Sequence, residues 1–358
     1  MEAAGTDSDG REFKNPDEMW LEHTGDTNKK TQWYRDGVAY WEVSLFVSLF
    51  VFFELPIEKD ERLMRGVEAS VNGVLGGYGH VNDADVKGSE GFLQTLLAEL
   101  FVDGGIDRHL VALDCGSGIG RITKNLLIRY FNEVDLLEPV SHFLDAARES
   151  LVQENHMALD KHKATNFYCV PLQEFTPDAG RYDVIWVQWC IGHLTDDDFV
   201  SFFNRAKIGL KPGGFFVLKE NLARSGFVLD KEDRSITRSD SYFKGLFRTL
   251  RAVFAFASAV SLIKQSICIP APQMKFLVVS LDIRGLMIRN CTGNAQCRTA
   301  IWQPIFGPDS MGQHIFLEQK GLPKELFAVK MYALTTDIPK RVIKARSKVQ
   351  ANRPGIIK

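Results

Sequence analysis

Val111-Ala112-Leu113-Asp114-Cys115-Gly116-Ser117-Gly118-Ile119-Gly120-Arg121 joins an apolar run ending on an acidic residue to three alternating glycines, with a helix-period segment directly after them. Glycine suits such a strand-to-helix turn because a side chain would block the backbone from closing on a ligand, and because a tight turn draws on positive φ. A nicotinamide fingerprint would read G-x-G-x-x-G, but the residue three after Gly118 is Arg121. The acidic residue that binds a ribose diol is expected to end the next strand, about 20 residues on. Glu138, in Val134-Asp135-Leu136-Leu137-Glu138-Pro139, stands there.

Outward from this turn, residues 109–221 alternate short β-branched runs with helix-period segments, the mark of a parallel sheet wound by helices. Strands are expected at 110–114, 133–138, 166–170, 183–188 and 215–220, and helices at 122–130, 141–153 and 196–210. Lys211-Pro212-Gly213-Gly214 is expected to end the last helix and turn into the following strand. The fold class is therefore α/β, a doubly wound, Rossmann-like sheet. Asp114 followed by G-x-G-x-G fits the S-adenosylmethionine version of the turn, which makes the sheet the seven-stranded class I methyltransferase type. On that reading Gly116 and Gly118 cradle the cofactor and Glu138 holds its ribose. Arg121 grips the carboxylate of its methionine moiety, since a guanidinium offers two parallel hydrogen bonds; a surface arginine on the same helix is the alternative. Leu172 and Gln173, past the third strand, are placed to cover and hydrogen-bond the adenine, although a plain loop has the same spacing. Gln188, ending the fourth strand, completes the cofactor set.

Composition agrees with a globular enzyme: 358 residues, 45% hydrophobic and 25% charged. With 45 acidic against 43 basic side chains there is no global basic field to attract nucleic acid. The six cysteines are scattered without C-x-x-C pairs or companion histidines, so a reduced, intracellular protein without a bound metal is expected. No signal-peptide pattern opens the chain. The most apolar runs, 43–53 and 252–263, are shorter than the roughly 20 residues a membrane span requires.

Leu75-Gly76-Gly77-Tyr78-Gly79-His80, the glycine turn continued through Ile122-Thr123-Lys124, and Asp183-Val184-Ile185-Trp186-Val187-Gln188-Trp189-Cys190-Ile191-Gly192-His193-Leu194-Thr195-Asp196 together resemble the protein α-N-terminal methyltransferase family. The resemblance covers residues 33–42, 66 to about 248, and 319–334. It implies methyl transfer from S-adenosylmethionine to the exposed amine of proteins that begin X-Pro-Lys, ribosomal and chromatin proteins among them. Neither nucleic acid nor membrane is an expected partner. Cytoplasmic and nuclear locations fit the resemblance.

The residues make chemical sense of that activity. An α-amine with a reference pKa of about 7.7 to 8.0 is largely protonated at neutral pH and has no lone pair to attack a methyl group. His193 and Asp230 are the titratable candidates to deprotonate it; the resemblance assigns that role to them, with Asn221 holding the substrate. Asp230 and Asp233, in Leu229-Asp230-Lys231-Glu232-Asp233-Arg234-Ser235, offer negative charge to a lysine in third position, and Ser235 adds a hydrogen bond. Trp189 and Trp41 supply apolar walls for the proline ring and the substrate backbone, and Leu75 and Gly76 let that backbone approach closely. The position matching a substrate-contacting tyrosine of the family is Phe327, which carries no hydroxyl.

The expected organisation is a substrate-contacting helical segment at 1–42, an insertion at 43–65, the methyltransferase domain at 66–248, a second insertion at 249–311, the domain's final strands at 312–336 and a basic disordered tail at 337–358. Both insertions read as additions to a finished domain, with a lineage-specific lid as the alternative. Two other functions fit the same residues: a small-molecule methyltransferase, for which paired Asp230 and Asp233 have no obvious use, and a catalytically impaired isoform that acts as a binding module.

Overall fold

The computed structural model describes residues 4–42, 66–100, 108–155, 162–250, 276–282, 285–292, 296–303, 316–323 and 326–335. The chain divides into two compact units, Met1–Leu246 with Ile315–Asp337, and Phe247–His314 with Ile338–Lys358. The expected insertion at 43–65 and the tail at 337–358 lie outside the described residues.

The first unit opens with a small hairpin, β1 (Gly5–Asp7) and β2 (Glu12–Phe13), followed by helices α1 (Pro16–Thr24) and α2 (Thr27–Trp41). Both helix starts are encoded locally. Asn15 accepts a hydrogen bond from the Glu18 amide at 2.9 Å with Pro16 in the first helical position, and Asp26 accepts from the Lys29 amide at 2.9 Å. The single-turn α3 (Val71–Val74) is capped by Ser70, and α4 (Asn82–Leu100) leads to the sheet.

The alternation that follows is β3 (Val111–Cys115), α5 (Arg121–Asn125), β4 (Glu133–Leu137), α6 (Ser141–Asn155), β5 (Lys163–Tyr168), β6 (Tyr182–Gln188), α7 (Asp196–Ala206) and β7 (Leu210–Leu222). A second hairpin, β8 (Phe227–Asp230) and β9 (Ser235–Arg238), precedes a helix, α8, that starts at residue 240. In the second unit β10 (Phe276–Asp282), β11 (Gly285–Thr292) and β12 (Gln296–Gln303) form an antiparallel meander within the region expected as the second insertion. The chain then returns to the first unit with β13 (Phe316–Glu318) and β14 (Ala328–Thr335).

The main sheet has seven strands in the order β13-β14-β7-β6-β3-β4-β5, and β14 alone runs against the rest. This is the expected doubly wound sheet. From β3 the chain winds outward through β4 to β5 and returns to β6 on the other side of β3, so the topological switch point lies between β3 and β6, where such sheets bind ligands. One face buries Phe92, Leu93 and Leu96 of α4 against Ala112, Val184 and Trp186; on the other, Leu144, Ala147 and Leu151 of α6 cover Leu136. The strands are continuous apolar runs because both faces are covered.

Two boundaries differ from the sequence expectation. The K-P-G-G segment lies inside β7: Leu210 already pairs with Tyr182, and a register shift before Phe215 takes up the glycines. Gly213 has φ +78°, and a Cβ on Gly214 would stand 3.0 Å from the carbonyl oxygens of Lys211 and Tyr182, so the bulge uses the residues that suggested a break. The third strand begins at Lys163 rather than residue 166: Lys163 and Ala164 already pair with Glu133 and Val134, and an irregularity before Leu136 shifts the register only after them.

A second, four-stranded sheet, β2-β1-β8-β9, joins the two ends of the first 240 residues. β1 lies parallel to β8, with Gly5 opposite Phe227 and Asp7 opposite Leu229. A Cβ on Gly226 would fall 1.6 Å from the Ala4 carbonyl oxygen, so the backbones meet only because that residue is glycine, here with φ +51°.

Candidate active site

A cavity opens at the carboxyl ends of β3, β4 and β6 and is roofed by α2. Gly116, Gly118 and Glu138 line one half. Trp41, Trp189 and His193 line the other.

In the first half, the amides of Gly116 and Ser117 donate to the Leu137 carbonyl at 2.8 and 3.1 Å, which ties the glycine turn to the end of β4. Gly116 has φ +60°, and a Cβ there would stand 2.3 Å from that of Cys190. Below the turn Asp114 accepts from the Thr123 amide and hydroxyl at 3.1 and 2.7 Å, fixing the start of α5; burial pushes its carboxyl up to about 6. Glu138 accepts from the amides of Gly118 (2.8 Å) and Val140 (3.0 Å). Burial pushes it up to about 7, opposed by those two backbone donors. Each oxygen keeps a lone pair, and the side chain borders the cavity. Val140, Phe143 and Leu172 make an apolar slot beside it, with half-buried Gln173 at its edge. An unobstructed glycine turn, an anion with spare acceptor capacity and an apolar slot fit S-adenosylmethionine: Glu138 would hold the ribose, and Leu172 and Gln173 would flank the adenine. Arg205, which sequence reasoning missed, donates to the carbonyls of Leu172, Gln173 and Phe175 at 2.8 to 3.2 Å and so shapes that loop.

Arg121 and Gln188 occupy a different environment from the one expected. Both converge on Asp85 of α4, which is fully buried. Arg121 Nη1 donates to Asp85 Oδ2 at 2.6 Å, and Gln188 Nε2 donates to the same carboxylate at 3.0 and 3.1 Å while its oxygen accepts from Trp186 Nε1. Lys219 also donates to Asp85, as well as to Ser89 and Gln319 at 2.9 Å. Neither Arg121 nor Gln188 lines the cavity. The cluster backs Trp189 instead, with the Arg121 guanidinium carbon and the Lys219 ammonium 5.6 and 5.5 Å from that ring's centre.

Trp189 adopts φ +53°, a backbone region that bulky residues rarely occupy, so local strain is stored at this wall of the cavity. His193 follows in a 3-10 turn, Ile191–His193. Its Nδ1 lies 3.2 Å from the Arg234 carbonyl, which can only accept; Nδ1 therefore carries the proton and Nε2 keeps its lone pair in the neutral ring. Trp33 Nε1 donates to the His193 carbonyl at 2.8 Å, and the Trp41 ring stands edge-on to the imidazole at 6.4 Å.

The acidic turn between β8 and β9 sets its two aspartates in different environments. Asp230, expected as the partner of His193, is exposed, and its Oδ1 accepts from the amides of Glu232 (2.8 Å) and Asp233 (3.4 Å) within the turn. Asp233 is the carboxylate that faces inward. Burial raises its pKa, His193 and Ser235 pull it back, and its Oδ1 is buried without a hydrogen-bond partner. Asn221, at the end of β7, is half-buried. Leu75 is half-buried and Gly76 exposed, with φ +59°; of the α3 segment Val74 reaches the cavity. Phe327 is exposed at the start of β14.

Arg238 is fully buried and pins the His193 turn from below, donating to the Leu194 carbonyl at 2.7 Å and Asp196 Oδ1 at 2.9 Å. Arg238→Leu removes a buried cation and leaves its acceptors without donors. It is expected to cost about 3 kcal/mol or more in urea unfolding, and a loss below about 1 kcal/mol would remove Arg238 from this role.

Three comparisons bear on this site. Residues 56–260 match the family model described as AdoMet dependent proline di-methyltransferase. The chain is 56% identical over 363 residues to Alpha N-terminal protein methyltransferase 1 of Arabidopsis thaliana, with both chains covered completely. It is 42% identical over 190 residues to N-terminal Xaa-Pro-Lys N-methyltransferase 1-B of Xenopus laevis, covering 53% of this chain and 81% of that one. Among solved structures, a SAM-dependent methyltransferase of Leishmania major superposes with TM-score 0.61 and 30% identity, covering 94% of this chain and 97% of that one.

Proposed function

Because the chain belongs to the AdoMet-dependent proline di-methyltransferase family, and is an S-adenosylmethionine-dependent N-terminal protein methyltransferase, we propose that its substrates are proteins whose exposed N-terminus reads X-Pro-Lys. The observation that carries this reading is Asp233: a carboxylate with a buried, unpartnered oxygen, beside His193, which itself lines a cavity walled by Trp41 and Trp189.

When bound, S-adenosylmethionine supplies an electrophilic methyl group. The protein's task is to present an amine lone pair to it. Trp41 and Trp189 exclude water and offer flat surfaces to a proline ring. His193 Nε2 is the free imidazole nitrogen and takes the ammonium proton, while Asp233 stabilises the imidazolium that results; Asn221 holds the substrate backbone. Proton removal can precede methyl transfer, which makes positioning as important as the base itself. Asp230, exposed in the turn whose Arg234 lines the cavity, receives the lysine ammonium, with Ser235 and Asp233 less exposed in the same turn.

The test is turnover with labelled cofactor on a hexapeptide beginning Ser-Pro-Lys, its N-acetylated form and its Ser-Pro-Glu counterpart. Acetylation removes the nucleophile, so no turnover is expected. Glutamate sets like charge against Asp230 and Asp233, and kcat/KM is expected to fall by about tenfold or more, a loss of at least one charge-assisted contact. Comparable turnover of the lysine and glutamate peptides overturns the assignment of the third position.

A further inference from the structure

The turn Asp230-Lys231-Glu232-Asp233-Arg234 carries its own cations, and a cation beside the carboxylates that receive the substrate's lysine competes with that lysine for them. Lys231 and Arg234 are as close in sequence to Asp230 and Asp233 as any groups can be. Yet among the described residues neither aspartate is in an ion pair. The N-terminal segment explains why. Lys231 Nζ pairs with Asp9 and lies 3.2 Å from Asp7 Oδ2. Arg234 Nη2 lies 3.2 Å from Asp36 Oδ2 on α2. Each cation of the turn is thus drawn to an acidic residue contributed by the first 36 positions.

The Asp7 end of this arrangement is built rather than incidental. Asp7 is buried, and its Oδ1 accepts the amides of Asp9 and Arg11 at 3.0 and 2.9 Å, closing the β1–β2 turn and leaving Oδ2 for Lys231. β1 is held beside β8 by strand pairing, through the glycine junction at Gly226. Asp9 and Asp7 together raise the Lys231 ammonium above the ordinary lysine value.

We propose that Asp7, Asp9 and Asp36 act as specificity-determining counter-charges: they hold Lys231 and Arg234 away from Asp230 and Asp233, keeping those carboxylates open to the cationic third residue of the substrate. The inference rests on the X-Pro-Lys reading and adds a positioning role for three aspartates that do not line the cavity.

Asp7→Asn with Asp9→Asn removes both charges, while the carboxamide introduced at the first position keeps an acceptor oxygen for the turn amides. Lys231 is then free to swing toward Asp230. KM for a Ser-Pro-Lys peptide is expected to rise about fivefold, the scale of one competing ion pair at a surface, with kcat little changed. KM for a Ser-Pro-Gln peptide stays within about twofold, because no substrate cation competes there. Adding Lys231→Gln to the double variant restores the Ser-Pro-Lys KM, and Lys231→Gln alone leaves it unchanged. A purely structural role predicts the opposite pattern: both peptides suffer together, the melting temperature falls, and removing Lys231 rescues nothing. An unchanged KM in a folded double variant, or a rise that Lys231→Gln does not reverse, overturns the proposal. Should the double variant fail to fold, Asp9→Asn alone decides the matter, since Asp9 is 72% exposed and plays no part in packing; the same rise and rescue are expected at smaller size, and their absence overturns it. If the unaltered protein itself does not prefer lysine to glutamine, the X-Pro-Lys reading fails, and that is seen before any variant is made.

Discussion

Asp233→Asn is expected to lower kcat/KM on a Ser-Pro-Lys peptide by about 100-fold or more at pH 7, within the range of general-base contributions, whereas Asp230→Asn lowers it by about tenfold or less and mainly through KM. The two residues are three apart in one turn, so the contrast isolates geometry from composition. Asp233 lies beside His193 with a buried oxygen that no protein group satisfies; Asp230 is exposed and spends one oxygen on its own turn. Substituting an amide at 233 removes the charge that favours the imidazolium formed when His193 takes the ammonium proton. The pH dependence gives the sign. Above pH 8 the peptide amine is increasingly deprotonated in solution and needs the base less, so the Asp233→Asn defect should shrink between pH 7 and pH 9.5. Circular dichroism and cofactor affinity serve as controls for folding. A larger loss at Asp230, or a defect at 233 that is flat across that pH range, would place deprotonation elsewhere.

That contrast also marks where the sequence stopped being legible. The glycine turn and Glu138 could be read because a Rossmann-type crossover fixes the separation between a strand end and the acidic residue after the next strand, and the sheet order follows from the same repeating unit. Which of two carboxylates in Asp230-Lys231-Glu232-Asp233 faces inward depends on the turn's backbone, including φ +57° at Arg234, and no residue pattern announces that conformation. Arg121 was legible as an arginine opening a helix, but its partner Asp85 lies 36 positions upstream on α4, and the pairing of Arg121 with Gln188 and Lys219 around one carboxylate is tertiary. The role of the first 14 residues was illegible for the same reason: β1 and β2 are three and two residues long and become strands only because β8, more than 200 positions away, offers an edge. The K-P-G-G segment shows the converse error. Its residues do signal a backbone irregularity, but a bulge within β7 and a turn between elements use the same chemistry.

Glu138→Ala is expected to weaken S-adenosylmethionine binding by at least about tenfold at pH 8, since each charge-assisted hydrogen bond to a ribose hydroxyl is worth on the order of 1.5 to 3 kcal/mol. The buried environment of Glu138 makes that affinity depend on pH. Burial raises its carboxyl to about 7 while the Val140 and Gly118 amides favour the anion. Ligand hydroxyls donate to the anion, so binding lowers the pKa further; the unaltered protein should take up cofactor more tightly as pH rises from 6 to 8 and release a proton on binding at pH 6. Stability runs the other way. A carboxyl raised in the folded state holds its proton where the unfolded chain has lost it, so folding stability falls as pH rises from about 4.5 to about 7. Asp114, raised to about 6, and Glu220, raised to about 7, act in the same sense. The protein without cofactor should therefore gain less stability than usual on leaving acid, and the cofactor should restore most at pH 8, where it binds best. Titration calorimetry in two buffers of different ionisation enthalpy measures the released proton directly. Tighter binding at pH 6 than at pH 8, or a folded Glu138→Ala variant with unchanged affinity, would remove this carboxylate from the ribose site.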